Sequence, residues 1–403
     1  MAARFGARPD QGMVLKVLVL SDYDSRVKWG VALAKLMTDA DCIEVVVDEA
    51  ERSLARRYSS EVAHVYRSRN AVQFAAGRDL RGYDVVLIAL GGRANVKAVY
   101  AIQEKFQPGE PRPVLVGGFN GLTDRNDPDA ILSRVGMDMV MVNCEADRAA
   151  FLETLNTLEA DPPRLVVTGY VREYRQDNSG NGQRRVLFVQ QPGIPGSAKA
   201  YEYLLRRLAD CQEKDPDMHL QIVLRPEGSR SLNASRHRYS AKALTESQVQ
   251  RVGRRNFTVE DRPIEQLIGE CDEVWSISST ALMEGLMMDK PILCIDDFGI
   301  SKANGNQYFV GSGLYSSLSA GEALRGRRPG AEWLELNVPK PMERSALQAL
   351  LRQEAKSIAD QGFRKRRSFY SNNPWLTPRD SAKKGIFALW QGLWGRRYMF
   401  RYK

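Results

Sequence analysis

The sequence predicts an α/β protein with two Rossmann-like, parallel-sheet domains facing each other across a cleft. Three observations carry this. Short apolar runs alternate with helix-period segments through most of the 403 residues, the pattern of parallel sheets built from strand–helix–strand units. The alternation is interrupted at 172–183 by a polar, turn-rich run containing Asn178-Ser179-Gly180-Asn181-Gly182, the composition of a linker. Residues 273–298 then read as one complete strand–loop–helix–strand unit. A chain of this length has room for two sizeable cores. The expected division is a first Rossmann-like domain at 1–171, a linker at 172–183, a second Rossmann-like domain at 184–340, and C-terminal helices with a basic aromatic tail at 341–403.

In the first half, residues 1–12 are expected to be a disordered leader. A strand at 14–20 leads through Ser21-Asp22-Tyr23-Asp24-Ser25 into a helix at 28–37. A second strand follows at 42–47. Residues 50–76 carry Arg-rich helical spacing with a strand at 63–66. The run 83–89 ends in Leu90-Gly91-Gly92-Arg93, before a helix to 106. A strand at 113–116 ends in Gly117-Gly118-Phe119-Asn120-Gly121, and one at 137–142 ends in Asn143-Cys144-Glu145-Ala146-Asp147 before a helix to 158. A last strand at 164–168 closes on Gly169. These strands are short and apolar, as strands buried between helices are.

The second half restarts the pattern. A strand at 185–190 precedes the loop Pro192-Gly193-Ile194-Pro195-Gly196-Ser197 and a helix at 198–214. A strand at 219–224 ends in Arg225-Pro226-Glu227-Gly228. Residues 229–255 show no clear period. A strand at 257–259 and a helix at 263–269 lead into 273–277, an apolar run suited to a buried strand. Ser278, Ser279 and Thr280 then open a helix at 281–288, in which Gly285 is the one weak helix former. Asp289-Lys290-Pro291 ends it, and 291–295 is the next strand. Short apolar pieces at 307–310 and 333–336 precede an amphipathic helix at 344–361.

Composition narrows the function classes. Hydrophobic content of 43% and charged content of 27% are ordinary for a globular protein. The cysteines (42, 144, 211, 271 and 294) form no CxxC pair and read as buried thiols of a reducing compartment. With no secretory leader and no apolar run of about 18 residues, a cytoplasmic protein is expected, peripheral at the inner face of the membrane if the tail binds there. The net charge of +9 belongs to that tail: residues 363–403 hold eleven Lys/Arg against Asp380, while the rest holds 47 basic and 48 acidic side chains. Ile386, Phe387, Leu389, Trp390, Leu393 and Trp394 form an apolar stripe flanked by Lys383, Lys384, Arg396 and Arg397. Such a helix suits an anionic membrane surface or packs back on the first domain. The three histidines (64, 219 and 237) are not spaced for a metal site, so no metal is expected.

The candidate chemistry gathers at the carboxyl ends of the strands, where open α/β sheets bind ligands. Ser278, Ser279 and Thr280 either cap their helix or, at its positive end, bind an anion. Glu284 stands one turn on from Thr280. Gly193 and Ser197 sit in a loop that is either a tight turn or a phosphate cradle. Arg225 can clamp a phosphate through paired hydrogen bonds, with Glu227 beside it. Asp22 and Asp24 are either caps and solvated groups or a source of a general base. In an extended loop they would point the same way, with repulsion raising the pKa of one of them; Asp24 is favoured as base, and Glu145 or Asp147 come next. Arg93 and Asn120, at glycine-bearing strand ends, either suit plain turns or contact a second substrate.

Ser-Ser-Thr-Ala-Leu-Met-Glu-Gly, followed by Lys-Pro-Ile and a second strand, resembles the donor-binding segment of two-domain GT-B glycosyltransferases. The resemblance is specific over the 26 residues 273–298. It is strongest to enzymes of capsule and wall polymers: polysialyltransferases, capsular Kdo transferases and teichoic acid glycerophosphotransferases. It extends to an actinobacterial glycosyltransferase family without an established substrate. The resemblance implies that the serines and the helix start contact the donor's phosphate. Arg225-Pro226 stands where the related enzymes carry His-Pro, so a histidine role does not carry over. The implied function is transfer of a sugar from a nucleotide sugar, with a cytidine nucleotide slightly favoured, to a glycan or lipid-linked acceptor of a surface or wall polysaccharide. No separate cofactor is implied. The alternatives are a nucleotide-sugar epimerase of the same layout and a nucleic-acid-binding protein using the basic tail; no nucleic-acid module is recognisable, and no nucleic-acid partner is expected.

Overall fold

The computed structural model describes residues 14–107, 109–171, 183–224, 239–252, 257–320 and 323–361. The first half contains β1 (Val17–Ser21), α1 (Asp24–Met37), β2 (Ile43–Asp48), α2 (Arg52–Tyr58), β3 (His64–Ser68), α3 (Ala71–Gly77) and β4 (Val85–Ala89). It continues with α4 (Gly92–Gln103), β5 (Val114–Gly118), α5 (Pro128–Leu132), β6 (Met139–Val142), α6 (Glu145–Thr157) and β7 (Arg164–Val167). The seven strands form one parallel sheet in the order β3-β2-β1-β4-β5-β6-β7. The second half contains β8 (Arg184–Val189), α7 (Ala198–Lys214), β9 (Met218–Val223), α8 (Ala241–Val252), β10 (Phe257–Glu260) and α9 (Ile264–Glu270). There follow β11 (Glu273–Ser276), α10 (Thr280–Met287), β12 (Ile292–Ile295), β13 (Tyr315–Ser316), α11 (Ala331–Asn337) and α12 (Arg344–Gln361). Its six strands are parallel in the order β10-β9-β8-β11-β12-β13. The fold is the expected pair of Rossmann-like parallel sheets.

Each sheet reverses direction of growth beside its first strand, between β1 and β4 and between β8 and β11. Such a reversal leaves a crevice beyond the carboxyl ends of the two strands, because the loops leaving them turn to opposite faces. The sequence puts its Asp/Gly loops at the first crevice and its hydroxyl triad at the second.

The strands are buried on both faces. Val17, Val19, Val45, Leu87 and Val116 face one core cluster of the first sheet; Leu18, Leu20, Val46, Ile88 and Leu115 face the other. A buried ion pair pins β5 to β6: Arg112 donates to both carboxylate oxygens of Asp138 at 2.6 and 2.7 Å, and Asp138 also accepts from Leu115 N at 2.8 Å. In the second half, α10 lies close on the sheet because of Gly285, where a Cβ would stand 3.0 Å from Val274 and 3.1 Å from Ile292. The weak helix former thus permits close approach.

Several elements differ from expectation. The loop after β1 is not extended through Asp24: Tyr23 is the N-cap and Asp24 the first residue of α1. The helix α8 falls in the stretch without clear period because two face positions are polar. Thr245 and Gln248 are buried beside Val249, and Thr245 satisfies its hydroxyl on Tyr201 Oη (2.9 Å) and Ala241 O (2.7 Å). The short α5 and β13 carry too few residues for a periodic signal, and 333–336 belongs to α11. The leader (1–12), most of the linker and the tail from 362 lie outside the described residues.

The chain crosses back after α11. Met342 N donates to Thr168 O (3.1 Å), and α12 returns to the first sheet, where Leu347 and Leu351 join the core cluster of β1 and α1. Arg112→Ala leaves the Asp138 charge buried and unpaired and is expected to cost about 3–5 kcal/mol in the urea unfolding of the first half. Replacing both partners by leucine is expected to cost far less.

Candidate active site

The first-half wall is built at the β1/β4 crevice. Asp22 leaves β1 and is gripped through both oxygens by Arg26 Nη1, at 2.8 and 2.7 Å. The spacing is one helical turn, so α1 sets this pair by its own geometry. Arg26 is buried and lies across the end of β4, with its guanidinium against Gly91, where a Cβ would stand 2.2 Å from Nη2. Burial, and the charge of Arg26, push the buried Arg134 down to about 9. Asp24 stands one residue beyond the N-cap. Its Oδ2 is 3.4 Å from Lys28 Nζ, again one turn on, and its Oδ1 is buried with no hydrogen-bond partner among the described residues. Asn120 Nδ2 donates to Ser25 Oγ at 3.0 Å, tying the loop after β5 to the start of α1. A cavity of about 140 Å³ opens between the ends of β1 to β4, lined in part by Ser21, Asp22, Asp48, Asn70 and Leu90. Arg93 is exposed in the first turn of α4.

The second-half wall is built at the β8/β11 crevice. Ser276 Oγ donates to Val189 O (2.8 Å), bridging β11 to β8, and accepts from Ser279 N (3.2 Å). Ser278 is buried; its hydroxyl lies 2.7 Å from Gln191 Oε1 and also against Asn304 O. Ser279 is the N-cap of α10, accepting from Ala281 N at 3.2 Å. Thr280 is the first helical residue, and its hydroxyl makes no hydrogen bond among the described residues. Glu284, one turn on, is 5% exposed. Gly193 takes φ 69° in the loop after β8, and Ser197 caps α7 through Ala200 N (3.2 Å). Arg225 and Glu227 lie outside the described residues.

The two walls meet. A Cβ on Gly121 would stand 3.0 Å from Thr280 Oγ1, so glycine lets the loop after β5 touch the start of α10. Lys28 Nζ reaches across to Glu265 Oε1 on α9 (3.7 Å), and Lys302 Nζ to Asp124 (2.7 Å). Beneath these contacts lies a buried polar knot. Arg125 donates to Asp147 Oδ1 (2.6 Å), Asn337 Oδ1 (2.7 Å) and Cys144 Sγ (3.3 Å). Its guanidinium sits 4.3 Å over the Tyr308 ring. Tyr308 Oη is 2.7 Å from Tyr170 Oη and 3.6 Å from Cys144 Sγ. Burial pushes Cys144 up to about 11 and raises Asp147 despite Arg125. Asp147 is therefore committed to the contact between the halves, and Glu145 pairs on the surface with Arg148 (2.6 Å).

The structure thus brings Asp22, Asp24 and Asn120 to one wall and Ser278, Ser279, Thr280 and Glu284 to the other. Sequence reading missed Arg26, Lys28, Gln191, Glu265, Asn304 and Lys302. The first two were detectable, standing four residues beyond Asp22 and Asp24. The others depend on contacts between distant segments. Among the described residues, no group of three or more His, Cys, Asp or Glu is placed to hold a metal ion.

Residues 17–354 match the family described as "Putative glycosyltransferase (DUF6716)". The chain belongs to that family. No curated protein matches it in sequence. Among solved structures, this glycosyltransferase-family chain is similar to UGT89C1 of Arabidopsis thaliana, at 11% identity over 90% of this chain and 98% of that one, with a TM-score of 0.52. A structure titled as a putative UDP-N-acetylglucosamine 2-epimerase from Listeria monocytogenes matches at 14% identity over 93% and 97%, TM-score 0.50. The MnaA–UDP co-structure from S. aureus matches at 14% identity over 86% and 88%, TM-score 0.50. These likenesses are of fold: two Rossmann-like sheets facing a cleft, the GT-B layout. Among the described residues no helix is long and apolar enough to cross a membrane.

The serines and the threonine of this enzyme are expected to separate experimentally. Thr280→Val should weaken nucleoside diphosphate binding by about 1–2 kcal/mol, the scale of a hydrogen bond to a charged group, with little change in thermal stability. Ser279→Ala should weaken binding similarly but also lose the cap, costing roughly 1 kcal/mol of stability. Calorimetry and thermal unfolding of both variants check this.

Proposed function

We propose that the protein transfers a sugar, with inversion and without a metal, from a nucleotide-sugar donor to a hydroxyl of a glycan or lipid-linked acceptor in surface or wall polysaccharide assembly. The observation that carries the reading is the pairing across the cleft. A half-exposed carboxylate, Asp24, stands on one wall, and the start of an eight-residue helix whose Thr280 hydroxyl has no hydrogen-bond partner among the described residues stands on the other. The resemblance of 273–298 to capsule- and wall-polymer transferases supports the substrate class.

In this reading the donor's diphosphate lies at the start of α10, where the helix N-terminus and the Thr280 hydroxyl favour negative charge. Glu284 accepts from the ribose. Gly193 and Ser197 border the donor, and Arg225 and Glu227 remain donor-binding candidates from the sequence, Arg225 as a phosphate clamp. The acceptor hydroxyl, held near Asn120 and Arg93, donates to the exposed side of the Asp24 carboxylate. As its oxygen forms a bond to the anomeric carbon, the proton passes to Asp24 and the bond from that carbon to the phosphate oxygen breaks. The leaving nucleotide takes that electron pair, and its new charge develops against the helix start. Lys28 stands 3.4 Å from Asp24 Oδ2, and Arg26 holds both oxygens of Asp22. Asp22 therefore orients the crevice, and Asp24 is the base.

Asp24→Asn is expected to cut turnover by about 10²–10⁴, the usual loss of a general base, with nucleotide affinity nearly intact. Asp22→Asn frees Arg26 and should act less on turnover. Near-normal turnover in Asp24→Asn overturns this assignment. Calorimetry against CMP, CDP, UDP and GDP identifies the nucleotide, for which the sequence favours cytidine and the UDP held by MnaA favours uridine. Full activity after EDTA treatment is expected.

The layout shared with the 2-epimerases favours one second reading. Incubation with a nucleotide sugar and no acceptor separates the two: an epimerase interconverts the sugar, whereas the transferase leaves it unchanged. We also propose that the basic aromatic tail holds the enzyme on an anionic membrane. Deletion of 381–403 is expected to abolish binding to anionic liposomes, and binding that survives the deletion overturns it.

A further inference from the structure

Loop 296–306, after β12, folds over the start of α10. Asn304 fastens it, donating from its side chain to Phe298 O and Gly299 O, both at 2.9 Å, and accepting from Ser278 through its carbonyl. Gly305, at φ 72°, lies against Ser278 and closes the turn by donating to Ser301 O (2.9 Å). Lys302 projects from this turn, and its Nζ is 2.7 Å from Asp124 Oδ2 on the facing half.

The two partners of this ion pair are unequal. Asp124 is fixed by its own turn: Oδ1 accepts from Asn126 N (3.1 Å) and its carbonyl from Asp127 N (3.1 Å). The Lys302 side chain is 67% exposed, that of Asp124 22%. Lysine has a long, freely rotating stem, so Lys302 is the partner that moves. Its reach is bounded. Asp124 follows Gly121 by three residues, Gly121 touches Thr280, and three extended residues span at most about 11 Å. Lys302 is also two residues from Asn304, which accepts from Ser278 beside the start of α10, so the ammonium has the reach for that helix start.

Charge gives the rotation a cause. The loop after β5 and the start of α5 hold Asp124, Asp127 and Asp129, while Arg125 of the same loop is committed to Asp147. Burial, reinforced by Asp129 and eased by Lys302, raises Asp127. Lys302 thus offsets part of the negative charge of an acidic loop. A diphosphate at the start of α10 brings more negative charge than the half-charge of a helix end offsets.

We infer that Lys302 is the counter-ion of the donor diphosphate, and that Asp124 holds it away from the phosphate site until the donor arrives. This rests on the donor reading above. Its consequence is a link between the substrates: donor binding breaks an ion pair that joins the loop after β5 to the second half, on the wall proposed for the acceptor.

Calorimetry with CDP and UDP, and with cytidine and uridine as phosphate-free controls, tests the inference on wild type, Lys302→Met, Lys302→Arg and Asp124→Asn, each checked for folding by thermal unfolding. The expected signature is opposite signs. Lys302→Met weakens the bound diphosphate about tenfold or more, the scale of a charge-assisted hydrogen bond, and leaves the nucleoside unaffected. Lys302→Arg retains most of the affinity. Asp124→Asn, by releasing Lys302, tightens the diphosphate several-fold. A pair that only braces the two halves is broken equally by either change, so Lys302→Met and Asp124→Asn moving together, or neither moving, overturns the inference while the donor reading stands. Absence of diphosphate binding to the wild type overturns both.

Discussion

The position of the two halves depends on one buried interaction, the knot of Arg125, Asp147, Cys144, Tyr308, Tyr170 and Asn337. Two charges removed from water are costly unless each is fully paired. Here Arg125 has a carboxylate on its own half, an amide from α11 and an aromatic ring from the second half. Cys144, kept neutral by burial, joins the arginine and Asp147 N to the Tyr308 hydroxyl. A displacement of one half would strip the arginine of its partners from the other. The arrangement is therefore discrete: a knot of this kind is made or broken, and does not slide.

That constraint explains why the open groups are where they are. With Asp147 and Arg125 committed beneath, the loop after β5 is anchored and Gly121 is presented to Thr280. Above it two lysines reach across the cleft, Lys28 towards Glu265 and Lys302 towards Asp124. The Asp24 wall and the Thr280 wall face each other over contacts that break cheaply, because exposed ion pairs are worth little, while the knot below keeps the register.

The alternation of strands and helices was legible because strands buried on both faces have to be apolar, and the strand order follows from short right-handed connections. Residues 198–214 and 344–361 were legible to the residue as α7 and α12, since both carry uninterrupted helix formers. Helix α8 was not, because Thr245 and Gln248 occupy core positions, and Thr245 bonds Tyr201, a partner invisible in sequence. Within the candidate site, residue types at strand ends could be read but not their division of labour. Ser278, Ser279 and Thr280 look alike as letters. Only the fold shows one bonded to Gln191 and Asn304, one capping, and one open. Asp22 and Asp24 likewise differ only through Arg26 and Lys28. The cross-cleft partners Glu265, Lys302 and Tyr308 carry no local signal, since their meaning lies in contacts between distant segments.

The return of α12 to the first sheet has a consequence for how the protein is made. Leu347 and Leu351 complete a core that also holds Val17, Trp29 and Val31, yet they leave the ribosome after all of the second half. The amino-terminal sheet therefore waits, with apolar surface uncovered, while its partner is synthesised and folds. Domains normally mature in the order they emerge. Here the first to emerge is the last to be sealed, and a chain stopped short of α12 would carry every residue of its proposed chemistry while leaving that surface bare.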